Sequence, residues 1–162
     1  MRLLVNKNFS EEGVAFREFK AITWGEKFSN YMKKGFKENI EESTLSNNNF
    51  RKVLYTGVHC QLVLMSLLPN EDIGMEIHED NDQFFRFEGG EGKVIINDTE
   101  YNVKDGDAII VPAGAKHNVI ANDSGLKLYT IYSPAHHKDG IVRTTKIEAE
   151  SNEANFDGIT TE

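Results

Sequence analysis

The chain has 162 residues, 39% of them hydrophobic, enough for one domain with a real core and short of two comfortable ones. Its net charge of −8 disfavours nucleic acid or an anionic membrane as a partner, because either calls for a basic surface. A single cysteine, Cys60, excludes an internal disulfide, so the sequence needs no oxidising compartment.

The start, Met1-Arg2-Leu3-Leu4-Val5-Asn6-Lys7, has an apolar run of only three, too short for a signal peptide. No later run approaches transmembrane length. A cytoplasmic location is expected. Residues 14–22 fit either a strand or a helix. Phe28, Tyr31, Met32, Phe36 and Ile40 follow at spacings of three and four, which predicts an amphipathic helix over about 26–42. Gly35 weakens it. The polar run Ser43-Thr44-Leu45-Ser46-Asn47-Asn48-Asn49 reads as a loop closing an N-terminal arm of residues 1–49.

From Phe50 the pattern changes to short β-runs. Val53–Tyr55, Gln61–Leu68, Met75–His78, Gln83–Glu88, Lys93–Ile96, Glu100–Val103, Ala108–Val111, His117–Ile120 and Leu126–Tyr132 are separated by turn-forming residues. Gly89-Gly90-Glu91-Gly92 reads as a hairpin turn; no helix follows it, so it is not a nucleotide cradle. Strands at this spacing predict an all-β sandwich or small barrel over 50–147. The last residues, 148–162, carry five acidic side chains and few apolar ones, and are expected to be a disordered acidic tail.

Residues two apart on a strand share a face, so Glu76 and His78 point the same way. Gln83 opens the next strand, and His117 follows the Pro112-Ala113-Gly114 turn. Two histidines, a carboxylate and an amide oxygen on one interior suit a divalent first-row metal: iron above all, with manganese or nickel as further choices. Glu76 doubles as a candidate general base if it is not a ligand, and Arg86 or a lysine at the rim is its expected ion-pair partner otherwise. His59 reads as a loop residue, Cys60 as a small buried one, and His136-His137 as a solvated pair near the barrel mouth. No Gly-x-Ser-x-Gly occurs, so a serine hydrolase is not supported.

These residues carry a resemblance to the cupins. The family's first motif, G-x5-H-x-H-x3/4-E-x6-G, is matched in spacing by Asn70-x5-Glu76-x-His78-x4-Gln83-x6-Gly90. The second, G-x5-P-x-G-x2-H-x3-N, is matched by Gly106-x5-Pro112-x-Gly114-x2-His117, with Ala121 at the closing position and Asn122 one further on. An alignment on His78 and Asp80 breaks the spacing. The phrases around Glu76–Phe84 and Tyr129–Pro134 are similar to small single-domain cupins of the mannose-6-phosphate-isomerase-like kind. The resemblance implies a double-stranded β-helix, or jelly-roll barrel, with a partly helical N-terminal arm. By position it implies Glu76, His78, Gln83 and His117 as ligands of one metal (iron, manganese, nickel or zinc). It further implies a homodimer and a small-molecule substrate: isomerisation or O₂-dependent oxidation of a small sugar or keto/enol compound. The alternative is a non-catalytic cupin module that binds a small ligand or metal. A storage role is weak, since seed-storage cupins are longer and duplicated.

Overall fold

A computed structural model describes residues 33–162. In chain order these form α1 (Ile40–Ser46), β1 (Arg51–Thr56), β2 (Gln61–Leu67), β3 (Asp82–Ile96), β4 (Thr99–Lys104), β5 (Ala108–Val111), β6 (His117–Ser133), β7 (Val142–Arg143) and α2 (Lys146–Ser151). The strands pair antiparallel in the order β4-β3-β6-β2-β1-β7, with β5 on β3. The all-β jelly-roll class holds.

The long ribbon of β3 and β6 determines where the site lies. Gln83 pairs with Tyr132 near one end of the ribbon, and Ile96 pairs with His117 at the other. Thirteen residues of flat strand at about 3.3 Å each would hold those ends about 43 Å apart. Instead Gln83 Oε1 lies 3.0 Å from His117 Nε2. The ribbon therefore doubles back on itself. It does so at two register shifts, between Phe87 and Gly89 and between Gly90 and Gly92. The expected hairpin at 89–92 is thus a corner inside one continuous strand. Glycine is needed there: a Cβ on Gly90 would stand 2.1 Å from the Gly125 carbonyl oxygen, and one on Gly92 would stand 2.4 Å from that of Ile120. Gly125 opposite, at φ +72°, lets β6 run through where a turn was expected.

Alternate residues of β3, namely Gln83, Phe85 and Phe87, face inward and are buried. Phe85 and Phe87 join Val63, Met65, Val94, Val119, Leu126 and Leu128 in the core. Burying a ring of that size contributes about 1.5–3 kcal/mol.

The ends of the domain depart from expectation. Of the helix expected over 26–42, residues 26–32 lie outside the described residues. Residues 33–39 are not helical, and the helix begins at Ile40. Gly35 at φ +71° interrupts any helical path. The Asn39 side chain then accepts from Glu42 N–H and caps a new start. The first four residues of the expected polar loop, Ser43–Ser46, are consequently helix, and Thr44 is fully buried. Lys127 Nζ on β6 donates to the Asn47 carbonyl and to Asn48 Oδ1, which fastens this segment to the barrel. Cys60, expected to be buried, is exposed beside His59 in the β1–β2 connection.

The acidic tail is not a free strand of chain. Thr145 caps α2 by accepting from Glu148 N–H, and Ala149 enters the core. Farther on, Phe156 N–H donates to the His136 carbonyl, and Thr161 exchanges hydrogen bonds with the Thr56 backbone. Composition failed here because few apolar atoms are needed when backbone bonds fasten the segment.

Asp72 links α2 to the barrel. Its carboxylate accepts from Lys146 Nζ and from Asn118 Nδ2. Partial burial alone would raise its pKa, but the bonds from Lys146 and Asn118 outweigh it and hold the carboxyl below the usual 3.8. A depressed folded-state pKa gives stability that is present above the unfolded value and lost as pH falls through the folded one. The side chain is a third exposed, so about 1 kcal/mol or less is expected. Urea midpoints of wild type and Asp72→Asn should differ by a constant amount above about pH 5 and converge in acid. A difference that grows in acid would contradict the assignment.

Candidate metal centre

The site forms where the two ends of the ribbon meet. Glu76 and His117 face each other as an isolated antiparallel pair and exchange both backbone hydrogen bonds at 2.9 Å. Opposed residues of such a pair project on one face. His78 follows two residues later on that face, although 75–78 is bridged only at Glu76 and is not a full strand. The turn at Pro112–Gly114 is anchored on this segment, since Gly114 N–H donates to the His78 carbonyl at 2.8 Å. Gly114 takes φ +77° to make that turn.

Donor atoms of Glu76, His78 and His117 lie within 4.8 Å of one another. His78 Nε2 stands 3.3 Å from Glu76 Oε2. It makes no hydrogen bond although it is buried. His117 is 1% exposed. Its Nδ1 lies 3.0 Å from the Ala115 carbonyl oxygen, which can only accept, so Nδ1 carries the proton. Burial lowers the His117 pKa, and the ring is neutral near pH 7. Nε2 then presents a bare lone pair to Gln83 Oε1 at 3.0 Å. The other end of the Gln83 amide lies 3.1 Å from Thr130 Oγ1, a hydroxyl that donates or accepts to suit either amide orientation. Turning the amide end for end would instead donate an N–H to His117.

These residues fit a metal. A buried imidazole nitrogen without a partner, beside a carboxylate and a second imidazole, suits a cation among them. Ligands with metal bonds of about 2.0–2.2 Å stand about 3 Å apart or slightly more. The two donor pairs, at 3.0 and 3.3 Å, match that spacing. All four sequence candidates are thus brought to one interior.

Several neighbours were not foreseen. The ion-pair partner near Glu76 is Arg51, with Nη2 4.0 Å from Glu76 Oε1, whereas Arg86 pairs with Glu88 at 3.4 Å. Arg51 opens β1, where the chain pattern gives no hint of the interior. The His136-His137 pair is not solvated. The His136 ring stacks on Tyr132 at 5.3 Å and lies 4.3 Å from the His78 ring. His137 is 1% exposed, and burial first, then Arg51, pushes its pKa down to about 2. Its backbone exchanges hydrogen bonds with the buried Gln61 side chain. The available signal was position: Pro134 to His137 follow directly on the end of β6, which the ribbon returns to the site.

Comparison with known proteins agrees with this fold. A family model described as "Cupin domain" (Cupin_2) matches residues 63–132, from β2 through β6. The Bacillus subtilis protein YrkC is 48% identical over 126 residues, which span 74% of this chain and 68% of YrkC. A protein of Acanthamoeba polyphaga mimivirus is 49% identical over 107 residues, 63% of this chain and 67% of its own. The crystal structure of BH2720 from Bacillus halodurans aligns with a TM-score of 0.72 at 42% identity, covering 75% of this chain and 98% of that one. With both motif spacings, the barrel and the family match in agreement, this chain belongs to the cupin family.

Proposed function

We propose that this cupin binds one divalent metal through Glu76, His78 and His117, with Gln83 Oε1 as a weaker fourth ligand, and acts on a small sugar or keto/enol substrate. One observation carries the reading: His78 Nε2 is buried without a hydrogen bond, with ligand atoms of Glu76 and His117 within 4.8 Å of it. When bound, the metal supplies Lewis acidity toward a carbonyl or enediol oxygen, or a redox centre for O₂ chemistry. The protein's own part is positioning and proton transfer. Where Glu76 is not a ligand, its carboxylate serves instead as the base that takes a proton from one substrate carbon and returns it to the next. Tyr132 and His136, stacked beside His78, form an aromatic wall that limits water. The likeness to mannose-6-phosphate-isomerase-like cupins is a likeness of fold and assigns no reaction.

Gln83 favours a second reading, a module that binds a metal or small ligand without turnover, since an amide holds a metal less firmly than a carboxylate. The reading also takes the molecule as a cytoplasmic homodimer; no described helix is long and apolar enough to cross a membrane. Light scattering that returns a strict monomer would remove the dimer.

The test is metal analysis of purified protein, stripped with a chelator and reloaded with iron, manganese, nickel or zinc. About one equivalent is expected, with turnover of a sugar or keto-acid panel lost on stripping and restored by one metal. No stoichiometric metal under any loading condition would end the proposal. Stoichiometric metal with no turnover across the panel would favour the binding module.

A further inference from the structure

Arg51 is 7% exposed, yet it makes no side-chain hydrogen bond among the described residues, and its Nε is buried without a partner. Its nearest carboxylate oxygen, Glu76 Oε1, is 4.0 Å away, beyond hydrogen-bond distance. Its Nε is out of water without a hydrogen bond and its ion pair to Glu76 is too long for one, so donors of the guanidinium stay open to a ligand. A cavity of about 220 Å³ lies against it, lined also by Met75, Glu76, Glu150 and Glu153. Glu76 therefore belongs to both the cavity and the metal centre.

We propose that Arg51 is the binding residue for a small monocarboxylate, held in this cavity so that its neighbouring oxygens face the metal centre. The proposal rests on the metal-dependent reading above and narrows its substrate class to acids, such as a keto acid, in place of neutral sugars. The guanidinium presents a planar fork of donors that matches a carboxylate bidentately. The cavity is smaller than the roughly 300–1,000 Å³ that drug-sized ligands occupy. That size suits a small acid. Glu150 and Glu153 are exposed at the rim, and Glu150 is engaged by Lys146 at 3.8 Å. Their charge is screened by water, but it works against a second negative charge on the ligand. A single carboxylate is what remains.

The experiment is calorimetric titration of the full chain, metal-free and metal-loaded, with acetate, pyruvate, the dianion succinate, and acetamide as the neutral control. The proteins are wild type, Arg51→Gln and Arg51→Lys, each checked for a cooperative melt and for metal content. Wild type is expected to bind pyruvate and acetate, and to bind succinate and acetamide at least tenfold more weakly. Arg51→Gln should weaken pyruvate at least tenfold with metal content unchanged. Arg51→Lys, which keeps the charge and loses the fork, should fall between. Pyruvate binding that is equal in wild type and both variants overturns the proposal, as does wild type that loads metal and binds no carboxylate. Arg51-dependent binding in protein that never loads metal would instead sustain Arg51 and remove the metal reading.

Discussion

His117→Ala is expected to weaken metal binding by at least about 100-fold, and Gln83→Glu to strengthen it by about tenfold or more. His117 offers a nitrogen whose proton is already committed elsewhere, because Nδ1–H is given to the Ala115 carbonyl. Alanine removes that lone pair and leaves a void in a fully buried position, costing about 2–4 kcal/mol of stability. His117→Gln, which fills more of the space, keeps the loss of affinity separable from unfolding. Gln83→Glu acts in the opposite sense. It sets a buried carboxylate beside the half-buried Glu76 and against the bare His117 nitrogen, which costs the metal-free protein several kcal/mol. Bound metal compensates that charge and gains an anionic ligand. The readout is the difference in melting temperature between loaded and stripped protein, since a ligand stabilises only what it binds. That difference should widen in Gln83→Glu and vanish in His117→Ala. A Gln83→Glu protein with the wild-type difference would show that residue 83 is not a ligand.

Most of this site was legible because motif spacing reflects strand geometry. Glu76 and His78 share a face by the two-residue period, and Pro112-Ala113-Gly114 is a turn that its glycine permits. Those constraints are local, so they survive in the sequence. Arg51, Tyr132 and His136 were not legible as members of the site. They reach it only because β1 lies one strand away from β6 across β2, and because β6 returns to the mouth of the barrel. Such neighbours arise from topology, and no spacing in the chain encodes them. The ends failed for another reason. Asn39 and Thr145 cap short helices with single side chains, and the tail is held by backbone bonds, so neither leaves a hydrophobic period to read.

Gly90→Ala is expected to destabilise the domain by about 2–6 kcal/mol, a large share of the 5–15 kcal/mol typical of a whole domain. Two costs combine at this position. The backbone sits at φ +84°, where a side chain is strained, and the added Cβ would meet the Gly125 carbonyl oxygen at 2.1 Å. That oxygen belongs to the backbone of the facing strand, so relief requires the ribbon to open. Gly140→Ala separates the two costs: φ is +66° there, with nothing within 4 Å of the new Cβ, so only about 1–2 kcal/mol of backbone strain is expected. Urea unfolding of the two variants should therefore differ by several-fold in lost stability, and equal losses would show that close approach at the corner is not what demands glycine. The corner also governs the metal centre, because it is what folds Gln83 back onto His117 across a ribbon that would otherwise hold them about 43 Å apart. Metal affinity in the folded fraction of Gly90→Ala should fall with stability, whereas Gly140→Ala should bind metal as wild type does.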